Sequence, residues 1–346
     1  MLRLILAATF FSAIQLRAGE IYYTGFENFP AGDDTITGTE GWAISSAHAG
    51  RALHGVDTEA DHLVSGIGNA AFIGGNITVL PPDTSRTVFL RRQFSLDPVA
   101  LNEEVATFHA IFGIKDSTFS GLTTRRDNFE FAFHNSDRQL IAFIQFDNSL
   151  IDPLTQSPAQ RIWRSHYNGT VFTKVNTNVI FLYDEIMELR VRVNFRTNRW
   201  TASLDDLTLF ADEVFYAGLN ARNLGYIAAQ MQIVGTAPVP GTFQIGPAPG
   251  ENYMLFDDFA LRLDPLPKPV IYSLVPAGGG LQLTWSAEAG YRYQVQYRNN
   301  LTTGAWLSDL PGSLFTATLT GESPVFTDAS ISGQPVRFYQ VVQSYP

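Results

Sequence analysis

Apolar and polar residues alternate with period two along much of this chain. In VATFHAIFGIK (residues 105–115), Phe108, Ala110, Phe112 and Ile114 fall on one face, with Thr107, His109, Gly113 and Lys115 on the other. FEFAFHN, SDRQ and LIAFIQFDN (129–148) read as two strands joined by a turn. Phe129, Phe131 and Phe133 point one way there, Glu130 and His134 the opposite way. IMELRVRVNF (186–195) sets Met187, Leu189, Val191, Val193 and Phe195 against Glu188, Arg190, Arg192 and Asn194, and RTNR leads on into WTASL as a second hairpin. EIYYTGF (20–26), VFLRRQF (88–94), GYIAAQMQIV (225–234) and YMLFDDFALRL (253–263) add further strands. Helical periodicity is nearly absent. Such alternation predicts sheets with one packed face and one polar face, so the fold class expected is all-β.

Punctuation divides the chain. DPLPKP (264–269) places proline at alternate positions, which a central strand cannot tolerate, so it reads as a stiff linker. Beyond it VIYSLVP, LQLTW, YRYQVQY, AWLSDL, LFTATLT, PVFTD and VRFYQVVQ give about seven short strands, the pattern of a small β-sandwich. Trp285 is expected in its core, and Tyr293, Val295 and Tyr297 are expected to pack against Tyr339 and Val341. At the other end, MLRLILAATFFSAIQLRAGE has a basic Arg3, an apolar run over 4–14 and a small-residue site ending at Ala18. This is the three-part layout of a cleaved secretory signal. The apolar run is well short of the roughly 20 residues a membrane span needs, and no later segment is apolar enough to span. The expected plan is a signal peptide over 1–18, a large domain over 19–264, a Pro-rich linker over 265–269 and a small domain over 270–346.

Composition narrows the chemistry. The 346 residues include no cysteine, which excludes disulfides, thiol catalysis and cysteine zinc sites. The formal net charge is −10, and Lys115, Lys174 and Lys268 are the only lysines. An acidic, exported chain with no basic run points away from nucleic acid and from anionic membranes.

Two stretches carry resemblances. LTW, YRYQVQYRNNLTTGAW and FTDASISGQPVRFYQVV, over the last quarter of the chain, resemble the fibronectin type III-like tail domains of secreted bacterial proteins. That resemblance implies a spacer or attachment module without catalysis. GFENFPAGDDTITGTEGW (25–42), AGRALHG (49–55), the MELRVRVNFRTNRWTASLDD hairpin and NYMLFDDFAL together resemble the concanavalin A-like lectin/glucanase jelly rolls of the laminin-G-like branch. A galactose-binding-like jelly roll shares the Phe-Glu opening and Asp-Asp ending but is usually shorter. The concanavalin A-like resemblance implies a large jelly-roll β-sandwich whose first and last strands pair. That would bring Phe26 and Glu27 near Asp257 and Asp258. Glu27, Asp257 and Asp258 are then candidate ligands for a structural calcium, a hard cation that takes six to eight oxygens. Plain surface carboxylates are the alternative.

Candidate ligand-binding residues follow from the polar faces. His109, Glu130, His134, Glu188, Arg190, Arg192 and Asn194 would form one polar surface if their strands lie side by side. Trp163, His166 and Tyr167, in the loop-bordered RIWRSHYNGT, would add an aromatic platform for a sugar at its rim. A solvated sheet face is the plain alternative. His48, His54 and His62 lie near Asp57, Glu59 and Asp61, but their spacing matches no helix-face metal motif. Glycoside hydrolysis needs two carboxyls flanking the bond. YDEIMEL puts Glu185 and Glu188 on opposite parities, unlike the Glu-x-Asp-x-Glu of the jelly-roll glucanases. The leading expectation is a secreted, non-catalytic, lectin-like protein that binds a polysaccharide or other glycan. A polysaccharide-degrading enzyme, with His109, His134, Arg190 and Tyr167 as suspects, and an adhesive envelope protein remain the alternatives.

Overall fold

A computed structural model describes residues 19–44, 53–57, 68–74, 87–101, 103–114, 128–147, 160–182, 185–215, 222–232, 253–264, 268–300, 302–331 and 337–344. The chain is all-β, and up to Asp264 its strands form two large sheets. The first sheet contains β1 (Glu20–Thr24), β2 (Gly32–Asp33), β4 (Leu53–Asp57), β5 (Ala70–Gly74), β7 (Val105–Ile114), β12 (Met187–Asn194), β13 (Arg199–Leu204), β14 (Leu207–Val214) and β16 (Tyr253–Asp264). Its order is β14-β13-β12-β7-β16-β5-β4-β2, with β1 also paired to β16. The second sheet contains β3 (Trp42–Ile44), β6 (Thr87–Leu96), β8 (Asn128–His134), β9 (Leu140–Asp147), β10 (Arg161–Tyr167), β11 (Phe172–Ile180) and β15 (Leu224–Gln232), in the order β11-β10-β9-β8-β15-β6-β3.

The apolar parities predicted from sequence line the space between these sheets. Phe108 and Phe112 of the first sheet meet Phe131, Phe133 and Phe146 of the second, at ring-centroid separations of 4.6 to 5.7 Å. Leu189, Val191 and Val193 join the same core. Tilted and edge-on contacts of this kind add to what area burial alone supplies. Both predicted hairpins form, β8 with β9 and β12 with β13.

The jelly-roll expectation for the termini of this domain also holds, since β1 pairs antiparallel with β16. β16 does not keep one parity. Its register against β7 shifts between Asp257 and Ala260, where Asp258 sits at φ 46°. The extra residue lets both Phe256 and Phe259 face inward.

After Pro269 two three-stranded sheets follow. One has the order β17 (Ile271–Ala277), β18 (Gly280–Trp285), β21 (Val325–Asp328). The other has β20 (Leu314–Thr316), β19 (Arg292–Arg298), β22 (Phe338–Ser344). Trp285, Tyr293 and Val295 form a separate core, with Tyr297, Tyr339 and Val341 packed against it. YRYQVQY is thus the central strand of its sheet.

The small sandwich abuts one end of the large one through a buried polar junction. The Tyr291 hydroxyl donates to Glu104 Oε2 at 2.9 Å and accepts from Asn194 Nδ2 at 3.2 Å. The Thr320 backbone N–H and hydroxyl both donate to the Asp212 carboxylate at 2.6 Å. Arg192 pairs with Glu288 across the same junction.

Candidate functional site

The single polar surface expected from parity is in fact two surfaces, on opposite sides of the large sandwich. His109, Glu188, Arg190 and Arg192 lie on the outer face of the first sheet, where Arg190 is cross-strand to His109 and Arg192 to Thr107. Glu130 and His134 lie on the outer face of the second sheet, because β8 pairs with β9 and β15. Parity was read correctly for each strand, but sheet membership depends on long-range pairing that parity does not encode. Asn194 belongs to neither surface, since it is buried at the junction with Tyr291.

The outer face of the first sheet is open and internally neutralised. Glu188 Oε1 is 3.1 Å from His109 Nε2 and also pairs with Arg190. Partial desolvation opposes ionisation of Glu188, but Arg190 and His109 outweigh it and hold the carboxyl below its usual range. His109 Nδ1 is 3.2 Å from the Asp258 carbonyl at the β16 bulge. Arg262 pairs with Asp264 at 2.8 Å. A shallow depression lined by Thr107, Arg190, Arg192, Thr201, Ser203 and Arg262 lies over these strands. The Arg190 and Arg262 side chains are 56% and 51% exposed.

The outer face of the second sheet is different in kind. One cross-strand row runs Phe89, Gln230, Glu130, Gln145, Trp163 and Asn176, through β6, β15, β8, β9, β10 and β11. These residues point away from the core, yet Gln145 is 1% and Gln230 6% exposed. The Gln145 amide is held at both ends. Its Oε1 accepts from Lys174 Nζ at 2.7 Å, and its Nε2 lies 3.3 Å from both Glu130 Oε2 and Gln232 Oε1. Burial pushes the Glu130 carboxyl up to about 7, although Lys174 and the Gln145 hydrogen bond work against the rise. Further along the same face His134 stacks on Tyr226, with ring centroids 4.3 Å apart and planes 11° from parallel. Burial pulls the His134 imidazole down to about 4, so it is neutral at pH 7. Arg91 stands 5.6 Å over the Tyr226 ring. Recessed polar faces whose titratable groups are displaced from their ordinary values are where ligand sites tend to lie.

Four of the residues expected to bind ligand, Glu130, His134, Trp163 and Tyr167, therefore share this face, and His109, Arg190 and Arg192 do not. RIWRSHY is a strand (β10), not a loop rim. Trp163 stands cross-strand to Gln145, and Tyr167 is cross-strand to Phe172 with ring centroids 5.4 Å apart. His166 has the opposite parity to Trp163 and Tyr167. It lies 3.5 Å from Glu213, whose other oxygen takes Arg164 at 2.5 Å. Sequence reasoning missed Arg91, Gln145, Lys174, Tyr226 and Gln230. The alternation in VFLRRQF and LIAFIQFDN marks Arg91 and Gln145 as outward-facing, but only the strand order brings them beside Glu130.

Glu27, Asp257 and Asp258 do gather at one corner. Asp257 is buried, and its carboxyl is pushed up to about 7 by burial first, then by Asp258 and Glu27. Its Oδ1 accepts the Asp258 backbone N–H at 2.7 Å, while Asp258 Oδ1 takes the Tyr23 hydroxyl at 2.6 Å. Among the described residues no group of three or more acidic, histidine or cysteine side chains is close enough to hold a metal ion. His54 is buried with its Nε2 3.0 Å from Asp34. His48, Glu59, Asp61 and His62 lie outside the described residues, as does the 1–18 segment.

No family model matches the chain, and no curated protein matches it. Among solved structures, a sialidase is similar at 9% identity and a TM-score of 0.44, over 71% of this chain. The chain spans only 18% of that sialidase's length. An endo-β-1,4-glucuronan lyase from the fungus Trichoderma reesei is similar at 9% identity and a TM-score of 0.41, over 70% of this chain and 95% of that one. A GH131 β-glucanase catalytic domain from Podospora anserina is similar at 11% identity and a TM-score of 0.37, over 63% of this chain and 81% of that one.

Proposed function

We propose that this is a secreted, lectin-like protein that binds a polysaccharide on the outer face of the second large sheet, with the fibronectin type III-like small domain as an attached module. One observation carries the reading. An outward-facing row of amides and one carboxyl, Gln230, Glu130 and Gln145, is recessed from solvent and flanked by Trp163. Sugars are recognised by fixed planar donors and acceptors beside aromatic surfaces, and a held amide such as Gln145 offers such groups already oriented. Binding is favoured over hydrolysis because the cross-strand neighbours of Glu130 on both sides are amides, where a glycosidase needs a second carboxyl. Polysaccharide cleavage is the second reading, motivated by a Glu130 titrating near neutrality beside a neutral His134.

Affinity gel electrophoresis through a panel of polysaccharides tests both. Retardation in at least one gel is expected. It should be lost in Trp163→Ala and Gln145→Ala and kept in Arg190→Gln, which changes the opposite face. Retardation lost only in Arg190→Gln would move the site to the first sheet, and absence of retardation in every gel would sink the binding reading. Polymer shortened after contact would favour cleavage.

A further inference from the structure

The charges on the recessed face say more about its ligand. A second cross-strand row, one step from Glu130, runs Arg91, Ala228, Ala132, Phe143, Ser165 and Lys174. Phe143 and Ser165 are joined by the Phe143 N–H donating to Ser165 Oγ at 3.0 Å. Beyond Arg91 the row reaches Ala43 of β3, and five strand gaps separate Arg91 from Lys174, roughly 24 Å at the usual spacing between strands. Arg91 and Lys174 stand toward the two ends, and three of the four residues between them are alanine or serine. Ala228, Ala132, Phe143 and Ser165 are all buried, and the two cations bracket them.

Among the described residues neither cation sits in ion-pair contact with an acid, although Lys174 acts on the Glu130 carboxyl at longer range. Lys174 Nζ bonds to the neutral Gln145 amide, and its nearest aromatic neighbour is Phe143 at 6.0 Å. Arg91 Nε is buried without a hydrogen-bond partner, and the guanidinium faces the Tyr226 ring. The first sheet's outer face is the contrast, since Arg190, Arg192 and Arg262 are each matched to an acid there. In a chain of net charge −10, cations without such a match toward both ends of one recessed row are not background.

Resting on the binding reading above, we infer that the polysaccharide is anionic, with carboxylate or sulfate groups taken by Arg91 toward one end of the row and Lys174 toward the other. Glu130, in the adjacent row, would repel such a polymer once ionised. Its carboxyl titrates near 7, so polyanion binding strengthens as pH falls from 8 to 6. The other groups on this face do not supply that dependence. His134 stays neutral over the range, and burial pushes the Tyr226 hydroxyl further up.

The test uses the mature chain with alginate as the carboxylate polymer, dextran sulfate as the sulfate polymer and laminarin as the neutral one. One or both polyanions should bind, and which one does identifies the anionic group. Arg91→Gln and Lys174→Gln should each weaken that binding about tenfold, the scale of a lost charge-assisted hydrogen bond. Added salt should weaken it too, and Arg190→Gln should not. Circular dichroism and melting of each variant control for folding. Laminarin binding more tightly than either polyanion would overturn the anionic inference while leaving the binding reading intact. So would polyanion binding indifferent to Arg91→Gln and Lys174→Gln. Failure of all three polymers would overturn both.

Discussion

Glu130, half-buried, and Asp257, buried, are carboxyls on different sheets, each pushed up to about 7 by desolvation. Each folded-state value lies above its ordinary value, so the native state holds a proton that the unfolded chain has released. Stability is then greatest in mild acid and falls as pH rises through 7. Each group is expected to contribute a loss on the order of 2 kcal/mol between pH 5 and 8. Melting temperatures across that range should fall for the native protein and fall less for Glu130→Gln and for Asp257→Asn. A flat native profile would contradict the burial argument at both sites. Calcium at the Asp257 corner is tested by the same variant. With calcium bound, millimolar calcium raises the native melting temperature, chelator lowers it, and Asp257→Asn destabilises. Without calcium, chelator has no effect and Asp257→Asn stabilises at pH 8.

Elements show how far the sequence could be read. Strict alternation placed Phe108, Phe131 and Leu189 in the core, and both hairpins form between the strands expected. Those are local properties, set within ten residues. The strand order is not local. His109 and Glu130 have the same polar-outward parity, and only the pairing of β7 with β12 and of β8 with β15 puts them on opposite faces. β11 (FTKVNTNVI) carries Lys174 but has too few apolar positions to announce itself, since it is an edge strand paired only with β10 and none of its residues is buried. The β16 bulge is similarly hidden, because LFDDFAL looks like a break in alternation when it is a register correction.

SLDDL forms a two-residue hairpin between β13 and β14, with Asp205 and Asp206 at φ 48° and 65°. Both positions being left-handed is the type I′ pattern, which favours glycine at the second residue. Asp205 is retained for its side chain, whose Oδ1 accepts the Glu188 backbone N–H at 2.7 Å. Asp206 has no such duty among its hydrogen bonds. Asp206→Gly is therefore expected to stabilise by about 0.5 kcal/mol or more, while Asp205→Ala destabilises by about 1 kcal/mol. Urea midpoints shifted in opposite directions would establish the distinction, and destabilisation by both would remove it.

At the scale of the whole molecule, the question is whether the small sandwich moves independently. A Pro-rich linker alone suggests that it does. The junction argues otherwise, because its polar groups are buried and depend on one another. Tyr291, Asn194, Glu104, Asp212 and Glu288 are all under 10% exposed. Gly290 closes the contact, since a Cβ there would lie 3.0 Å from Thr197 side-chain atoms. Separating the domains would leave Asp212 without both Thr320 donors and would uncover the Tyr291 hydroxyl. Buried polar groups that lose their partners cost about 1 to 3 kcal/mol each, so these contacts together hold the two sandwiches in one orientation. The intact chain should therefore unfold in a single calorimetric transition and resist proteolysis over residues 265–269. Asp212→Ala and Tyr291→Phe together should split the transition in two and expose that segment to cleavage, while glycan retardation at the distant second-sheet face is unchanged. Two transitions in the unsubstituted protein would mean that the junction is too weak to couple the domains, and the small sandwich would then be a tethered module after all.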